Sequence, residues 1–236
     1  MSLGLGTVNI GEMRLGSTKI AEAYLGSVKV FGSSELVLPD NTFRYEFTEG
    51  YTPTPNWGET WTNVEGNIWD LTSTSYWSWG RQNNTSLLRI LGVGPLTAAY
   101  HFPTYGMYSG CTNLLSVNAD FSLNPDWCYA FRNMFQDCLS LTTVKIKLPP
   151  TVAVAEYMFS NCTSLRKVPY IDSTFTEVNG MFGGCVNVES GALAMYNHLS
   201  SQATPPTNHI GTFYNCGSNT VSGAAELALI PSDWKE

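Results

Sequence analysis

One unit recurs along the second half of this chain and limits its fold more than any other feature. It pairs Met and an aromatic residue with a Cys three residues after the aromatic and a Leu three residues after that. The best copies are M-Y-S-G-C-T-N-L-L-S-V (107–117), M-F-Q-D-C-L-S-L-T-T-V (134–144) and M-F-S-N-C-T-S-L-R-K-V (158–168). A fourth, M-F-G-G-C-V-N-V-E-S-G (181–191), carries Val188 at the Leu position, and T-F-Y-N-C-G-S-N (212–219) is a degenerate fifth. A period of this kind means stacked supersecondary units, none of which can bury its inner face alone.

The Cys-to-Cys steps are 27, 24, 23 and 31 residues. The first three fall within the coil length of leucine-rich solenoids, about 20–29 residues. The last contains Pro205-Pro206 and reads as an insertion. An earlier coil is visible without its cysteine: N-N-T-S-L-L-R-I (83–90) aligns with G-C-T-N-L-L-S-V (110–117), which puts Asn84 in the Cys111 position. In each coil, Met and the aromatic residue are expected on a short helical turn pointing inward, with Cys as a small filler. Leu114, Leu141 and Leu165 are expected to lead into a short strand that pairs with the next coil. Cys111, Cys138, Cys162, Cys185 and Cys216 then form a row of parallel side chains. Their Cβ vectors do not converge as a disulfide requires, so a ladder of reduced, buried thiols is expected. Cys128 falls outside the pattern.

A shorter repeat of period ten fills residues 4–30: G-L-G-T-V-N-I (4–10), R-L-G-S-T-K-I (14–20) and Y-L-G-S-V-K-V (24–30). Each has a Leu-Gly-Ser/Thr turn between short β-prone flanks. Two readings stand: a β-meander that closes one end of the fold, or an attachment and oligomerisation module. The expected organisation is a short β-repeat attachment module over residues 1–32, a β-rich connecting region over 33–65, and a repeat array over 66–236 with a C-terminal helical cap. Helices are expected at A-L-A-M-Y-N-H-L (192–199) and G-A-A-E-L-A-L-I (223–230), the second stopped by Pro231. The fold class is therefore mixed α+β, a leucine-rich-repeat solenoid with an N-terminal all-β module.

Composition narrows the function. Charged residues are 13% and the net charge is -7, with no basic stripe, which argues against nucleic-acid or electrostatic membrane contact. No stretch approaches 18 apolar residues. The N-terminus lacks the basic and apolar regions of a signal peptide and is not expected to be one. His101, His198 and His209 lie far apart without metal-ligand spacing. G-x-S-x-G and P-loop signatures do not occur. No cofactor and no catalytic residues are expected, and the chain reads as non-enzymatic. The cluster Tyr76, Trp77, Trp79, with Trp57, Trp61 and Trp69 nearby, is the candidate ligand site, because aromatic faces stack on sugar rings. The competing reading places these tryptophans in the core between the β-rich region and the first coil.

The M-F-x-x-C-[TS]-x-L units resemble BspA-type leucine-rich repeats of bacterial surface proteins and phage tail-associated proteins. The decads and the closing segment N-H-I-G-T-F-Y-N-C-G-S-N-T-V-S-G-A-A-E-L-A-L-I-P-S-D-W (208–234) are similar to parts of phage and prophage proteins of Bacteroides-like gut bacteria. The resemblance implies a virion component: a tail fibre or other receptor-binding fibre, homo-oligomeric with a trimer favoured. Its implied partners are other virion proteins and a host surface glycan or protein. A bacterial cell-surface adhesin is the alternative.

Overall fold

The computed structural model describes residues 13–15, 18–20, 23–25, 28–31, 38–56, 58–73, 81–95, 105–122 and 131–236. The chain divides into two units, residues 1–37 and 38–236. In the first, β1 (Met13–Leu15) pairs antiparallel with β2 (Thr18–Ile20), and β3 (Ala23–Leu25) with β4 (Val28–Phe31). Leu15 faces Thr18 and Leu25 faces Val28, so each strand pair brackets one Leu-Gly-Ser decad. The decad at 4–10 lies outside the described residues.

The second unit is mostly β, with two α-helices. Its main sheet has the order β10-β9-β8-β5-β7-β6. The strands β8 (Leu87–Val93), β9 (Ser116–Asp120) and β10 (Thr143–Lys147) come from three successive repeats and run parallel. Ile90, Val117 and Val144 stand in one row across them. The antiparallel strands β5 (Thr42–Phe47), β6 (Glu59–Glu65) and β7 (Ile68–Ser73) extend this sheet from its N-terminal edge. Residues 38–65, a connecting region by sequence, thus share a sheet with the first repeat. Their alternation explains why: Phe43, Tyr45 and Phe47 are buried, while Arg44 and Glu46 face out to Asp70 and Arg89. A second parallel pair joins β11 (Thr151–Val154) to β12 (Thr174–Glu177).

Backbone bonds link neighbouring repeats in both directions: beyond the Cys slot the later repeat donates to the earlier (Leu115 N–H to Leu88, Ser140 to Thr112, Ser164 to Leu139), while at the turn the earlier donates to the later. At the aromatic slot, the N–H groups of Tyr108, Phe135, Phe159 and Phe182 donate to the carbonyls of Met134, Met158, Met181 and Thr212, at 2.8–2.9 Å. These Met-aromatic segments are tight turns and not helix. Each turn has a residue in left-handed conformation just before Met or its equivalent (Gly106, Asn133, Tyr157, Gly180, Gly211). A second such residue sits just before the Cys slot (Asn83, Gly110, Asp137, Asn161, Gly184, Asn215). Glycine, Asn and Asp tolerate that geometry best, which accounts for most of these residue types. At Gly184, φ is +76° and a Cβ would lie 2.2 Å from Asn161 Oδ1. Gly184→Ala is therefore expected to lower stability by about 1–3 kcal/mol, read from the urea midpoint; an unchanged midpoint would mean the repeats are not in this register.

The long final step holds α1 (Ala192–Ser200), which buries Ala192, Met195 and Leu199. The second helix, α2 (Val221–Ala228), begins two residues earlier than the sequence pattern suggested. Thr220 explains the shift: it is extended, and its Oγ1 accepts the Gly223 N–H at 3.0 Å. Glu226 of α2 ties the helices together, its carboxylate accepting the N–H groups of Gly191 and Leu193 at the start of α1. A 3-10 turn (Ser232–Trp234) closes the stack: the Trp234 carbonyl accepts the Phe213 N–H at 3.0 Å, where a further repeat would have placed its Met carbonyl.

Candidate binding surface

Four inward slots run through the repeats, and the structure brings each into a continuous row. The aromatic row is Tyr108, Phe135, Phe159, Phe182 and Phe213, with consecutive rings stacked at 5.4–5.8 Å between centroids. The Leu row is Leu87, Leu114, Leu141, Leu165 and Val188, all fully buried. The Met row is Met107, Met134, Met158, Met181 and Thr212, also buried.

The cysteine row is Cys111, Cys138, Cys162, Cys185 and Cys216, all buried free thiols. They do more than fill space. The Sγ of Cys111, Cys138, Cys162 and Cys185 donates to the carbonyls of Arg81, Tyr108, Phe135 and Phe159, at 2.8–3.2 Å. Each thiol thus ties its repeat to the one before. Asn84 takes the same slot at the head of the row, and its Oδ1 accepts the N–H groups of Ser86 and Leu87.

Burial pushes the Cys111 and Cys185 thiols up to about 12 and the other three well above the ordinary value. The fold therefore favours the neutral thiol. That contribution is fully present below the unfolded thiol pKa, about 8.5, and is lost as pH rises from there through the folded values. Each thiol that ionises on unfolding removes about 1.4 kcal/mol of stability per pH unit in that window. Urea denaturation at pH 7.5 and pH 10 is expected to show a steep fall, with the five thiols unreactive to an aromatic disulfide reagent until the chain unfolds. A flat profile, or prompt reaction of these thiols, would contradict the buried ladder.

Tyr76, Trp77 and Trp79, the ligand candidates of the sequence, lie outside the described residues, as do Trp57, His101 and Cys128. Trp61 and Trp69 flank the sheet, partly buried against the core. His198 and His209 serve locally: the first bonds the Ser173 carbonyl and Tyr170, the second stacks on Trp234 at 4.2 Å. Among the described residues there is no group of three or more His, Cys, Asp or Glu placed to hold a metal, and no helix is long and apolar enough to cross a membrane.

The sequence pattern did not disclose a polar cluster at the N-terminal end of the stack. Arg81 stands in the aromatic slot of the first repeat, three residues before Asn84. Its guanidinium lies 4.8 Å over the Trp61 ring and 2.8 Å from Glu59 Oε1, with both charged side chains buried. Glu59 also accepts the Asn56 N–H and Trp61 Nε1. Just inside, the hydroxyls of Tyr45 and Tyr108 meet at 2.9 Å. A half-open cleft of about 190 Å³ opens over this cluster. Phe47, Tyr51 and Pro53 form one side, and Gln82 and Asn84 of the first repeat form another.

The solvent face of the sheet carries cross-strand ion pairs: Arg44 with Asp70, Arg89 with Glu46 and Lys147 with Asp120. Outward residues at matching positions differ from strand to strand, with Arg89 beside Ser116 beside Thr143. Inward residues at matching positions hardly change.

Rows of buried Leu, Met, aromatic and Cys slots, joined through parallel strands, define a leucine-rich-repeat protein. Residues 104–203 and 129–226 match the model of the BspA type leucine-rich repeat region, in six copies, and the chain belongs to that family. No curated protein and no solved structure matches the chain.

Proposed function

We propose that this chain is a non-enzymatic recognition and structural protein, a leucine-rich-repeat solenoid that displays a binding surface. The observation that carries this reading is the contrast between near-constant inward slots and the outward row of the sheet, where Arg89, Ser116 and Thr143 differ from strand to strand. Such a construction fixes the scaffold and leaves the surface free to vary, as repeat proteins that bind through an extended face do. Its setting is the virion of a phage, as a fibre or receptor-binding component; the likeness of the decads and of segment 208–234 to phage proteins supports this. Residues 1–32 act as an all-β module that attaches the subunit or joins copies, in a trimer. Other virion proteins and a host surface glycan or protein are its partners.

Removal of residues 1–32 is expected to abolish assembly, read as mass in solution, while the urea transition of the remainder persists. Unchanged assembly would refute the module's role. The second reading, a cell-surface adhesin, is favoured by family membership itself, since BspA-like repeats suggest surface proteins. Immunogold labelling separates the two: label on phage particles supports the first, and label on intact bacterial cells without particles supports the second.

A further inference from the structure

We propose that the cleft at the head of the repeat stack is a subsite for one uncharged sugar ring; this deepens the recognition reading above and rests on it for its biological setting. The charge balance comes first. Arg81 and Glu59 cancel each other at 2.8 Å beneath the cleft. Among the described residues that line the cleft, this pairing leaves no net charge to favour a charged ligand over a neutral one. The surface chemistry comes second. Tyr51 and Trp61 offer partly exposed apolar ring surface, with the buried Phe47 ring behind Tyr51, while Gln82 and Asn84 bring amides to the same space. A pyranose has this division, C–H bonds on its faces and hydroxyls around its rim.

Size and rigidity agree. The cleft of about 190 Å³ has the volume of about six waters, on the scale of a single ring and not of a chain. Its walls are already fixed. Asn84 Nδ2 donates to the Tyr51 hydroxyl at 3.3 Å, Asn84 Oδ1 is held by two backbone N–H groups, and the Tyr51 and Phe47 rings lie 4.8 Å apart. Little ordering is left to oppose binding. The position is also particular to this end of the stack: the matching face of each later repeat is covered by the repeat before it, while here the first repeat faces the loop that carries Tyr51 and Asn56.

The test uses the full chain and a panel of methyl glycosides of neutral hexoses and N-acetylhexosamines, with sialic acid and glucosamine as charged counterparts. Binding is read by saturation-transfer NMR and then calorimetry. At least one neutral glycoside is expected to bind. Thr54→Trp, at an exposed position on the rim, is expected to weaken it at least tenfold without changing Tm, and Gln82→Ala to weaken it a few-fold. Binding of no neutral glycoside, binding of charged sugars alone, or binding indifferent to Thr54→Trp overturns the proposal. Adhesion to host cells keeps the two readings apart. Equal adhesion by the parent chain and Thr54→Trp refutes the cleft and leaves the recognition reading standing. A neutral glycoside blocked by Thr54→Trp, in a chain that adheres to no cell, supports the cleft and removes the recognition reading.

Discussion

Phe159→Ala is expected to lower the unfolding free energy by about 3–5 kcal/mol. The ring is fully buried and stacked on both sides, at 5.4 Å to Phe135 and 5.5 Å to Phe182. Its removal leaves a void between two repeats whose backbones are pinned by the N–H···O bonds on either side, so the site cannot collapse to fill it. Urea denaturation followed by circular dichroism measures the loss. Leu229→Ala is the control: that side chain is 67% exposed and its truncation is expected to stay within about 0.5 kcal/mol. Equal effects from the two variants would contradict the stacking described here.

Glu59→Ala should be as damaging, by about 3–5 kcal/mol, because it removes a buried carboxylate that lies 2.8 Å from the buried Arg81 guanidinium. The informative variant is the double replacement Glu59→Leu with Arg81→Phe. It removes both charges and returns an aromatic ring to the slot that holds one in every later repeat, where it would continue the row from Tyr108. Buried ion pairs are often replaced by apolar groups at little cost, so the double variant is expected to lie within about 1.5 kcal/mol of the parent chain. A double variant as unstable as Glu59→Ala would show that the pair does more than seal the end of the row.

The part of the fold legible in the sequence was the part that repeats. The Met, aromatic, Cys and Leu slots could be read from spacing, and Asn84 could be aligned to the cysteine slot because its coil keeps the downstream Leu. The left-handed positions were also visible in principle, as Gly, Asn or Asp directly before each Cys slot. Tyr157 is the exception that no residue preference would have indicated. Arg81 was not legible, because it breaks the aromatic pattern and its partner Glu59 sits in a stretch with no period. The pairing of β5 with both β7 and β8 was hidden for a related reason: antiparallel neighbours 22 and more residues apart leave no regular signature. The thiol hydrogen bonds were legible in kind, since an Asn or Cys at an inward turn can meet unpaired backbone groups, but nothing in the sequence marks which carbonyl of the preceding repeat each thiol meets.

The ladder of bonds at the aromatic slot has a direction, since every N–H there points to the following repeat and Trp234 supplies the last carbonyl. A gene for such a chain can gain or lose whole internal copies without disturbing either end. Each duplication adds one rung of about 5 Å, as the ring spacing sets it, and delivers a fresh strip of outward residues. The end-pieces, with Arg81 and Glu59 at one limit and Trp234 at the other, each occur once and lie outside the repeated unit. Reach is then a heritable quantity, adjusted by recombination in fixed increments while the terminal seals stay as they are.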